Sequence, residues 1–301
     1  MADDLLDDNM LRKIILQSLF LEDELAEHLT LKGAHSLSIL NVGDRQTRDL
    51  DISATLNPKQ ENLESLFYKA LANGFEENDS KLVKFNFSFE PSKQESMMIP
   101  NPLNPSEDII WGGYKIKLGA LSLDYYNEKK ALQQKKGKDF DPKKYANNAE
   151  IDISFGEYTN GRTTADVEGV SIFVYTPLMT VYEKTRASAQ QLEEYSLSRV
   201  KTRSRDVYDI YKLLINNDLN IKNDIYKPEN IEILKNMFKI KGVDLELLNK
   251  IENYKEVLER DFQDNVSKQI PHNELETTTF EYMFQEVNNI FKTLYKVAIK
   301  G

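Results

Sequence analysis

Lys32-Gly33-Ala34-His35, followed after a short interval by Asp49-Leu50-Asp51, is the part of the sequence that decides the fold. The apolar run before it predicts a strand that ends at Gly33, and the residues after Gly33 predict a helix. Gly33 therefore marks a strand-to-helix turn, and backbone N–H groups at the start of a helix can bind phosphate. Residues 48–54 alternate between polar and apolar side chains, which predicts a half-buried strand.

Asp49 and Asp51 lie at positions i and i+2 of that strand, so their side chains share one face, about 6–7 Å apart. Two carboxylates aimed at one point repel each other, and a cation between them, most often Mg²⁺, relieves the repulsion. A phosphate-binding turn beside a carboxylate pair is the minimum equipment for metal-assisted nucleotidyl transfer. The alternative is that the two aspartates simply form a solvated strand edge.

Composition excludes several classes of protein. The chain has 301 residues, 40% of them hydrophobic, which is enough for one large domain or two ordinary ones. The absence of cysteine excludes disulfides and thiolate metal sites, and three scattered histidines are too few for a histidine zinc site. No apolar run approaches a membrane span, and the acidic start MADDLLDDNM does not resemble a signal peptide, so we expect a cytoplasmic protein without membrane partners.

The pattern of elements changes once along the chain. Up to about residue 180 strands alternate with helices, and from there on only helices are predicted, so we expect a core domain over residues 1–195 and a helical domain over 196–301. Within the core, residues 61–73 predict a helix ended by Gly74. The proline- and glycine-rich residues 91–113 predict a long irregular loop.

Asp152 is a candidate third metal ligand. It alternates with Ile151 and Ile153 in the strand predicted over residues 149–155, so it can join the aspartate pair from a neighbouring strand. A third carboxylate would complete a two-metal site. It could equally be an edge residue that faces solvent, and Glu157 is the substitute if Asp152 does not take part.

The second half of the chain contains a lysine and two aspartates that are candidates for the functional site. Lys184 is either a point charge for triphosphate oxygens or an ordinary surface lysine on an amphipathic helix. Asp206 and Asp209 share a helix face, and Arg205-Asp206 either belongs to the site or simply opens a helix and forms a salt bridge. The net charge of −10 argues against nucleic-acid binding by the whole surface, whereas the lysine-rich residues 129–144 are either a solvated face or a contact for an RNA backbone.

Taken in order, these segments resemble the AbiEii/AbiGii family of nucleotidyltransferase toxins, a branch of the polymerase-β-like nucleotidyltransferases. The resemblance covers residues 29 to 214. It rests on a set of short segments, which are Leu31-Lys32-Gly33-Ala34-His35-Ser36-Leu37, Arg45-x-x-Arg48-Asp49-Leu50-Asp51, Ile151-Asp152-Ile153-Ser154, Tyr182-Glu183-Lys184-Thr185-Arg186-Ala187 and Arg203-x-Arg205-Asp206-Val207-Tyr208-Asp209-Ile210.

The resemblance implies an α+β fold, with a polymerase-β-like core built on a mixed sheet and an all-helical C-terminal domain. It implies transfer from a nucleoside triphosphate that depends on Mg²⁺ or Mn²⁺, with the 3′ end of tRNA as the acceptor and a block of translation as the result. It also implies a cognate antitoxin and a role in phage defence.

The resemblance also assigns roles to residues. Asp49 and Asp51 would bind the metal, Lys184 would meet the triphosphate, and Asp206 would be a further essential acid. Asp152 is the third metal ligand that strand alternation allows. The residues expected to bind the nucleotide are Lys32, Gly33, Ala34, His35, Ser36, Arg48, Lys184, Arg203 and Arg205.

The turn departs from the family pattern. The family usually has Gly-Gly or Gly-Ser and then a small hydroxyl residue, whereas this chain has Gly33-Ala34-His35 with Ser36 one place later. His35 is bulkier than serine or threonine. Two alternatives therefore stay open, namely a catalytically degenerate module that binds a nucleotide or a partner, and a phosphotransferase that acts on protein.

Overall fold

The structure is a computed structural model that describes residues 6–42, 49–56, 60–91, 98–101, 104–110, 112–195, 202–270 and 279–300. It divides into two compact units, the first comprising Met1–Asn101 and Ser106–Tyr175 and the second Pro102–Pro105 and Thr176–Gly301. The units separate along the chain after Tyr175, and the domain boundary that the sequence places at residue 195 stays a prediction.

The first unit is built on a mixed sheet of seven strands, which are numbered along the chain with the residue ranges given at the end of this paragraph. Their order across the sheet is β3-β6-β7-β2-β1-β9-β8. The β2–β7 and β1–β9 pairs are parallel, and the other neighbours are antiparallel. The predicted α+β fold with a mixed sheet is confirmed. The strands are β1 (Leu29–Lys32), β2 (Asp49–Ala54), β3 (Ser80–Pro91), β6 (Gly112–Ser122), β7 (Asn147–Phe155), β8 (Thr163–Val167) and β9 (Val170–Val174).

Residues 91–113 are not one irregular loop as predicted. They contain β4 (Met98–Asn101) and β5 (Asn104–Ile110), which form a separate two-stranded sheet, and parts of β3 and β6. Both strands of a two-stranded sheet are edge strands, and an edge strand tolerates proline because one side of its backbone needs no ladder partner. Proline and glycine content alone therefore gave the wrong prediction.

Two helices of the first unit cover one face of the large sheet. The helices of the first unit are α1 (Asp8–Leu21), α2 (Asp23–Ala26), α3 (Gly33–Ile39), α4 (Leu63–Glu77) and α5 (Leu123–Lys135). Apolar residues of α1 and α4 form one core with the apolar side chains of the sheet, among them Leu50, Ile52 and Ile151, which are all fully buried. Because side chains alternate along a strand, Asp49 and Asp51 lie on the opposite face of the sheet from this core.

Gly74 does not end its helix, as the sequence predicted, because α4 continues to Glu77. Gly74 is buried at the contact with α1, where an added Cβ would collide with the side chain of Ser18. The absence of a side chain at Gly74 lets the two helices approach closely. The glycine therefore serves helix packing rather than helix termination.

From residue 176 onward, the described part of the second unit contains helices and no strand, as predicted. Its helices are α6 (Pro177–Ala189), α7 (Ser204–Ile215), α8 (Ile221–Asp224), α9 (Pro228–Ile240), α10 (Lys255–Asp261) and α11 (Phe280–Lys300). Before α10 the chain forms two short 3₁₀ segments, Leu245–Asn249 and Ile251–Tyr254. In the part of the chain that the structure describes, no helix combines the length and apolarity needed to cross a membrane.

Candidate functional site

Four charged residues form a row across the open face of the sheet. Lys32 pairs with Asp51 across β1 and β2, Asp51 lies beside Asp152 on β7, and Asp152 pairs with Lys115 on β6. Residues in register on neighbouring strands present their side chains to the same face. The structure thus brings Asp152 next to the aspartate pair, as the sequence suggested, and it adds a lysine at each end of the row.

A second charged row lies one step along the strands. Asp49 is in register with Glu150, and Glu150 is in register with Lys117. Lys115 Nζ lies 2.9 Å from Asp152 Oδ1 and 3.3 Å from Glu150 Oε2. The hydrogen bond to Asp152 raises the pKa of Lys115 despite its partial burial. Burial by itself would raise the pKa of Glu150, but Lys115 and Lys117 hold that pKa below its usual value. Sequence reasoning missed Lys115 because only strand register reveals its position.

The turn at Gly33 is packed directly against Asp51. Gly33 has a φ of 70°, a left-handed conformation that favours glycine, and a Cβ added there would lie 2.8 Å from Asp51 Oδ2. Ala34 is partly exposed, whereas His35 and Ser36 are buried. The Ser36 hydroxyl donates a hydrogen bond of 2.8 Å to the Gly33 carbonyl, so this hydroxyl stabilises the turn from inside.

The Lys32 side chain is committed to a buried ion pair. Its Nζ lies 2.6 Å from Glu157 Oε2, and the two side chains are only 8% and 10% exposed. The Ser53 hydroxyl also donates to Glu157, and Lys32 lies 3.4 Å from Ser154 Oγ. Tyr175, from the end of the sheet, bonds Ser53 and the Tyr158 carbonyl. Glu157, which the sequence offered as a substitute metal ligand, therefore partners Lys32.

Asp49 and Asp51 are suitable ligands for a divalent cation. Carboxylate oxygens are what Mg²⁺ and Mn²⁺ prefer, and the missing side chain of Gly33 lets the Asp51 carboxylate pack directly against the turn. Among the residues that the structure describes, no three carboxylate or imidazole groups converge to enclose a metal. This arrangement fits Mg²⁺, which is usually bound by one or two carboxylates together with substrate phosphates and water rather than by a protein cage.

The second unit holds a separate cluster of charges. Lys184 on α6 lies 2.8 Å from both Asp206 and Asp209 on α7. Arg203 lies 2.9 Å from Asp206, and Arg205 lies 3.1 Å from Asp209. The structure thus brings Lys184, Arg203 and Asp206 together, and the sequence had identified these residues without pairing them.

The charges of this cluster are well compensated. Burial by itself would lower the pKa of Lys184, but the charges of Asp206 and Asp209 outweigh it and hold that pKa above its usual value. Burial would likewise raise the pKa of Asp206, but Lys184 and Arg203 hold it below its usual value. Arg48, another predicted nucleotide-binding residue, lies outside the described residues.

Comparisons with known proteins agree with this fold. Residues 14–287 match the model of the family described as nucleotidyl transferase AbiEii toxin, type IV toxin–antitoxin system. The chain superimposes on the crystal structure of JHP933 from Helicobacter pylori with a TM-score of 0.51 and 13% identity, over 98% of this chain and 93% of that one.

A second H. pylori structure, provisionally titled a nucleotidyltransferase, has a TM-score of 0.47 and 14% identity, over 100% of this chain and 98% of that chain. No curated protein matches the sequence. The family match extends over most of the chain, from α1 to α11, and includes both charge clusters. The chain belongs to the AbiEii family of nucleotidyltransferase toxins of type IV toxin–antitoxin systems.

Proposed function

We propose that this protein is a metal-dependent toxin that transfers nucleotides from a nucleoside triphosphate to RNA, with the 3′ end of tRNA as the acceptor. The observation that carries the proposal is the placement of Asp49 and Asp51 on the open face of the sheet, directly beside the Gly33 turn. In a family of nucleotidyltransferases, this is the part of the chain whose residues suit both a divalent cation and a phosphate.

In this proposal Asp49 and Asp51 would bind Mg²⁺ or Mn²⁺, and Asp152, which pairs with Lys115 in the structure, would be a third ligand. The bound metal would supply positive charge to the triphosphate. The turn from Gly33 to Ser36 holds the phosphates. A terminal hydroxyl oxygen of the RNA attacks the α-phosphorus, its proton goes to solvent, and the bond to pyrophosphate breaks.

The charge cluster of the second unit is proposed to contribute to triphosphate binding. Lys184 provides the ammonium, and its raised pKa keeps it charged throughout the physiological range. Asp206 is the further essential acid, and its contact of 2.8 Å fixes the position of Lys184. We assign Arg48, Arg203 and Arg205 to the nucleotide as well, in keeping with their place in the family motifs. Positioning and charge neutralisation would then account for most of the rate.

The biological role follows from the proposed reaction. Extension of the tRNA 3′ end blocks aminoacylation and therefore translation, which would arrest growth of the cell in which the toxin acts. The type IV toxin–antitoxin family implies a cognate antitoxin. We propose that the pair acts in the cytoplasm and protects against phage, and that a gene for the antitoxin lies beside the gene for this protein.

A labelling experiment tests the proposal. The protein is incubated with each nucleoside triphosphate, Mg²⁺ and total tRNA, with the label either on the α- or on the γ-phosphate. We expect RNA to acquire the α-label, and Asp51→Asn to reduce the rate by about a hundredfold or more. Asp264→Asn, on an exposed aspartate of the second unit, is the control that should keep the wild-type rate.

The same experiment separates the alternatives. A γ-label on protein would identify a phosphotransferase, and nucleotide binding without any transfer would identify a degenerate module. Growth provides an independent check, since expression of the wild type should arrest bacteria and expression of Asp51→Ala should not. Equal arrest by both proteins would exclude catalysis at Asp51 as the cause of toxicity.

A further inference from the structure

A line of lysines crosses the open face of the sheet away from the carboxylates. Lys117 on β6 shares the face of Lys115, Lys84 on β3 pairs with Gly119, and Lys81 pairs with Leu121 farther along β6. A Cβ added to Gly119 would lie 3.4 Å from the Lys84 Cβ, so Lys84 lies over that glycine. We name Lys117, Lys84, Lys81 and Lys130, which lies at the far end on α5, the lysine track.

The lysines of the track that lie farther from Asp49 and Asp51 form fewer ion pairs with carboxylates. Lys117 Nζ lies 3.4 Å from Glu150, whereas Lys84 Nζ donates a hydrogen bond of 3.3 Å to the Asn148 side-chain amide oxygen. Lys81 and Lys130 face the Tyr126 ring at 4.6 and 6.0 Å from its centroid. No carboxylate in the described part of the chain lies within ion-pair distance of Lys84, Lys81 or Lys130. The outer part of the track is therefore uncompensated positive charge.

Helix α5 and the residues that follow it extend this charge beyond the sheet. Residues 129–144 contain seven lysines and two aspartates, in a protein whose net charge is −10. The helix buries none of its residues completely. It is held by half-buried aromatic side chains, since Tyr126 packs edge-on against Phe140 at 5.1 Å and Gln133 donates a hydrogen bond of 2.7 Å to the Tyr145 hydroxyl. The lysines are thus presented to solvent on a fixed support.

We propose that the lysine track and α5 bind the phosphate backbone of the acceptor RNA and lead its end to Asp49 and Asp51. This inference rests on the proposed function and adds the place where the acceptor lies. At about 3.3 Å per residue, the strand spans roughly 20 Å from Lys117 to the start of α5, which is enough for several nucleotides. Exposed lysines beside aromatic rings are suited to a single strand of nucleic acid, whose backbone follows the charge.

The surface suits RNA better than an anionic membrane. A helix that lies on a membrane needs a continuous apolar face opposite its lysines. The large apolar residues that α5 exposes are Leu123 and Leu132, which lie more than two turns apart and form no such face. Its polar surface instead resembles the electrostatic footprint of a nucleic-acid-binding protein.

The test compares two variants with the same change in net charge. Lys81→Gln/Lys84→Gln/Lys130→Gln removes exposed lysines of the track, and Lys239→Gln/Lys268→Gln/Lys296→Gln removes exposed lysines of the second unit. The affinity of the full-length protein for a 5′-fluorescein-labelled tRNA transcript is measured by fluorescence anisotropy over a series of salt concentrations. Thermal unfolding monitors the fold, which surface substitutions of this kind should not disturb.

We expect the track variant to bind the transcript at least tenfold more weakly at low salt, and the slope of log Kd against log salt to fall by about 2 to 3. The control should stay within about twofold of the wild type. Equal binding by the two variants overturns the inference. A track variant that binds RNA like the wild type but no longer binds phosphatidylserine vesicles also overturns the inference, in favour of a membrane-binding surface.

This outcome is independent of catalysis because the binding assay contains no nucleoside triphosphate. Track-dependent binding of RNA that never acquires the α-label would support the docking surface and contradict the proposed reaction. Transfer of the α-label to RNA at equal rates by the track variant and the control, at subsaturating tRNA, would support the reaction and contradict the docking surface.

Discussion

The Asp51 carboxylate occupies the space that any side chain at Gly33 would need, since a Cβ built on Gly33 lies 2.8 Å from Asp51 Oδ2. The glycine also has a φ of 70°, a backbone conformation that L-residues with a Cβ adopt only at a cost in free energy. The turn and the candidate metal ligand therefore form one structural unit. Any displacement of the turn must move the carboxylate as well.

We expect Gly33→Ala to lower the free energy of unfolding by about 2–3 kcal/mol, of which about 1–2 kcal/mol is the left-handed backbone and the rest the collision with Asp51. Gly137→Ala is the matched control, because Gly137 has a φ of 62° and open space around it. Urea unfolding measures both variants. Of the two variants, only Gly33→Ala should also abolish nucleotidyl transfer. If Gly33→Ala and Gly137→Ala changed the rate of transfer equally, the contact between Gly33 and Asp51 would be unimportant for catalysis.

Metal binding should depend more on Asp51 than on Asp152. Asp152 already has a cation at 2.9 Å, since Lys115 pairs with it, and a metal must compete with that lysine. We expect Asp51→Asn to weaken Mn²⁺ binding by about tenfold or more and Asp152→Asn by less, as calorimetry of the nucleotide-free protein would measure. Lys115→Met should increase the affinity by releasing Asp152. An unchanged affinity in Asp51→Asn would remove this residue from the metal site.

Alternation along single strands made part of the site predictable. Asp49 and Asp51 follow the polar face of a half-buried strand, and the structure has that strand at Asp49–Ala54. The row from Lys32 to Lys115 could not be predicted, because it depends on the register of four strands that are distant in sequence, and register is set by tertiary packing.

Contacts between residues that are distant in sequence could not be predicted either. Lys184 and Asp206 are predicted individually from short segments, but their contact depends on how α6 packs against α7. Gly74 illustrates the same limit, since its local signal indicates a helix end and its tertiary contact with Ser18 decides otherwise. Local patterns thus predicted the elements, and packing determined which side chains meet.

Asp206→Asn should show how strongly the second charge cluster stabilises the protein. It leaves the buried Lys184 with Asp209 as its remaining carboxylate, and we expect a loss of about 3 kcal/mol in the free energy of unfolding at pH 7. Asp224→Asn, which removes a partly exposed ion pair with Lys227, is the control and should change stability little. Urea unfolding at fixed pH provides the measurement.

The pH dependence of that difference follows from the pKa of Asp206. Its pKa in the folded protein is lower than the ordinary value of 3.8, so ionised Asp206 stabilises the wild type fully above about pH 4. This contribution is lost as the pH falls through the lowered pKa. The gap between wild type and Asp206→Asn should therefore be constant from pH 7 to about pH 4 and narrow below it. A gap that widens on acidification would contradict the assignment of charge.

The buried pair of Lys32 and Glu157 yields a test of whether Lys32 contacts the nucleotide. Lys32→Met leaves a buried carboxylate without its cation and should cost about 3 kcal/mol, whereas Lys32→Met/Glu157→Gln should recover most of that loss because the amide still accepts from Ser53. Since the Lys32 side chain is 8% exposed and its Nζ lies 2.6 Å from Glu157 Oε2, we expect the double variant to bind ATP within about threefold of wild type in equilibrium dialysis. A tenfold loss of ATP affinity at restored stability would instead place Lys32 on the triphosphate, as its position in the turn segment predicts.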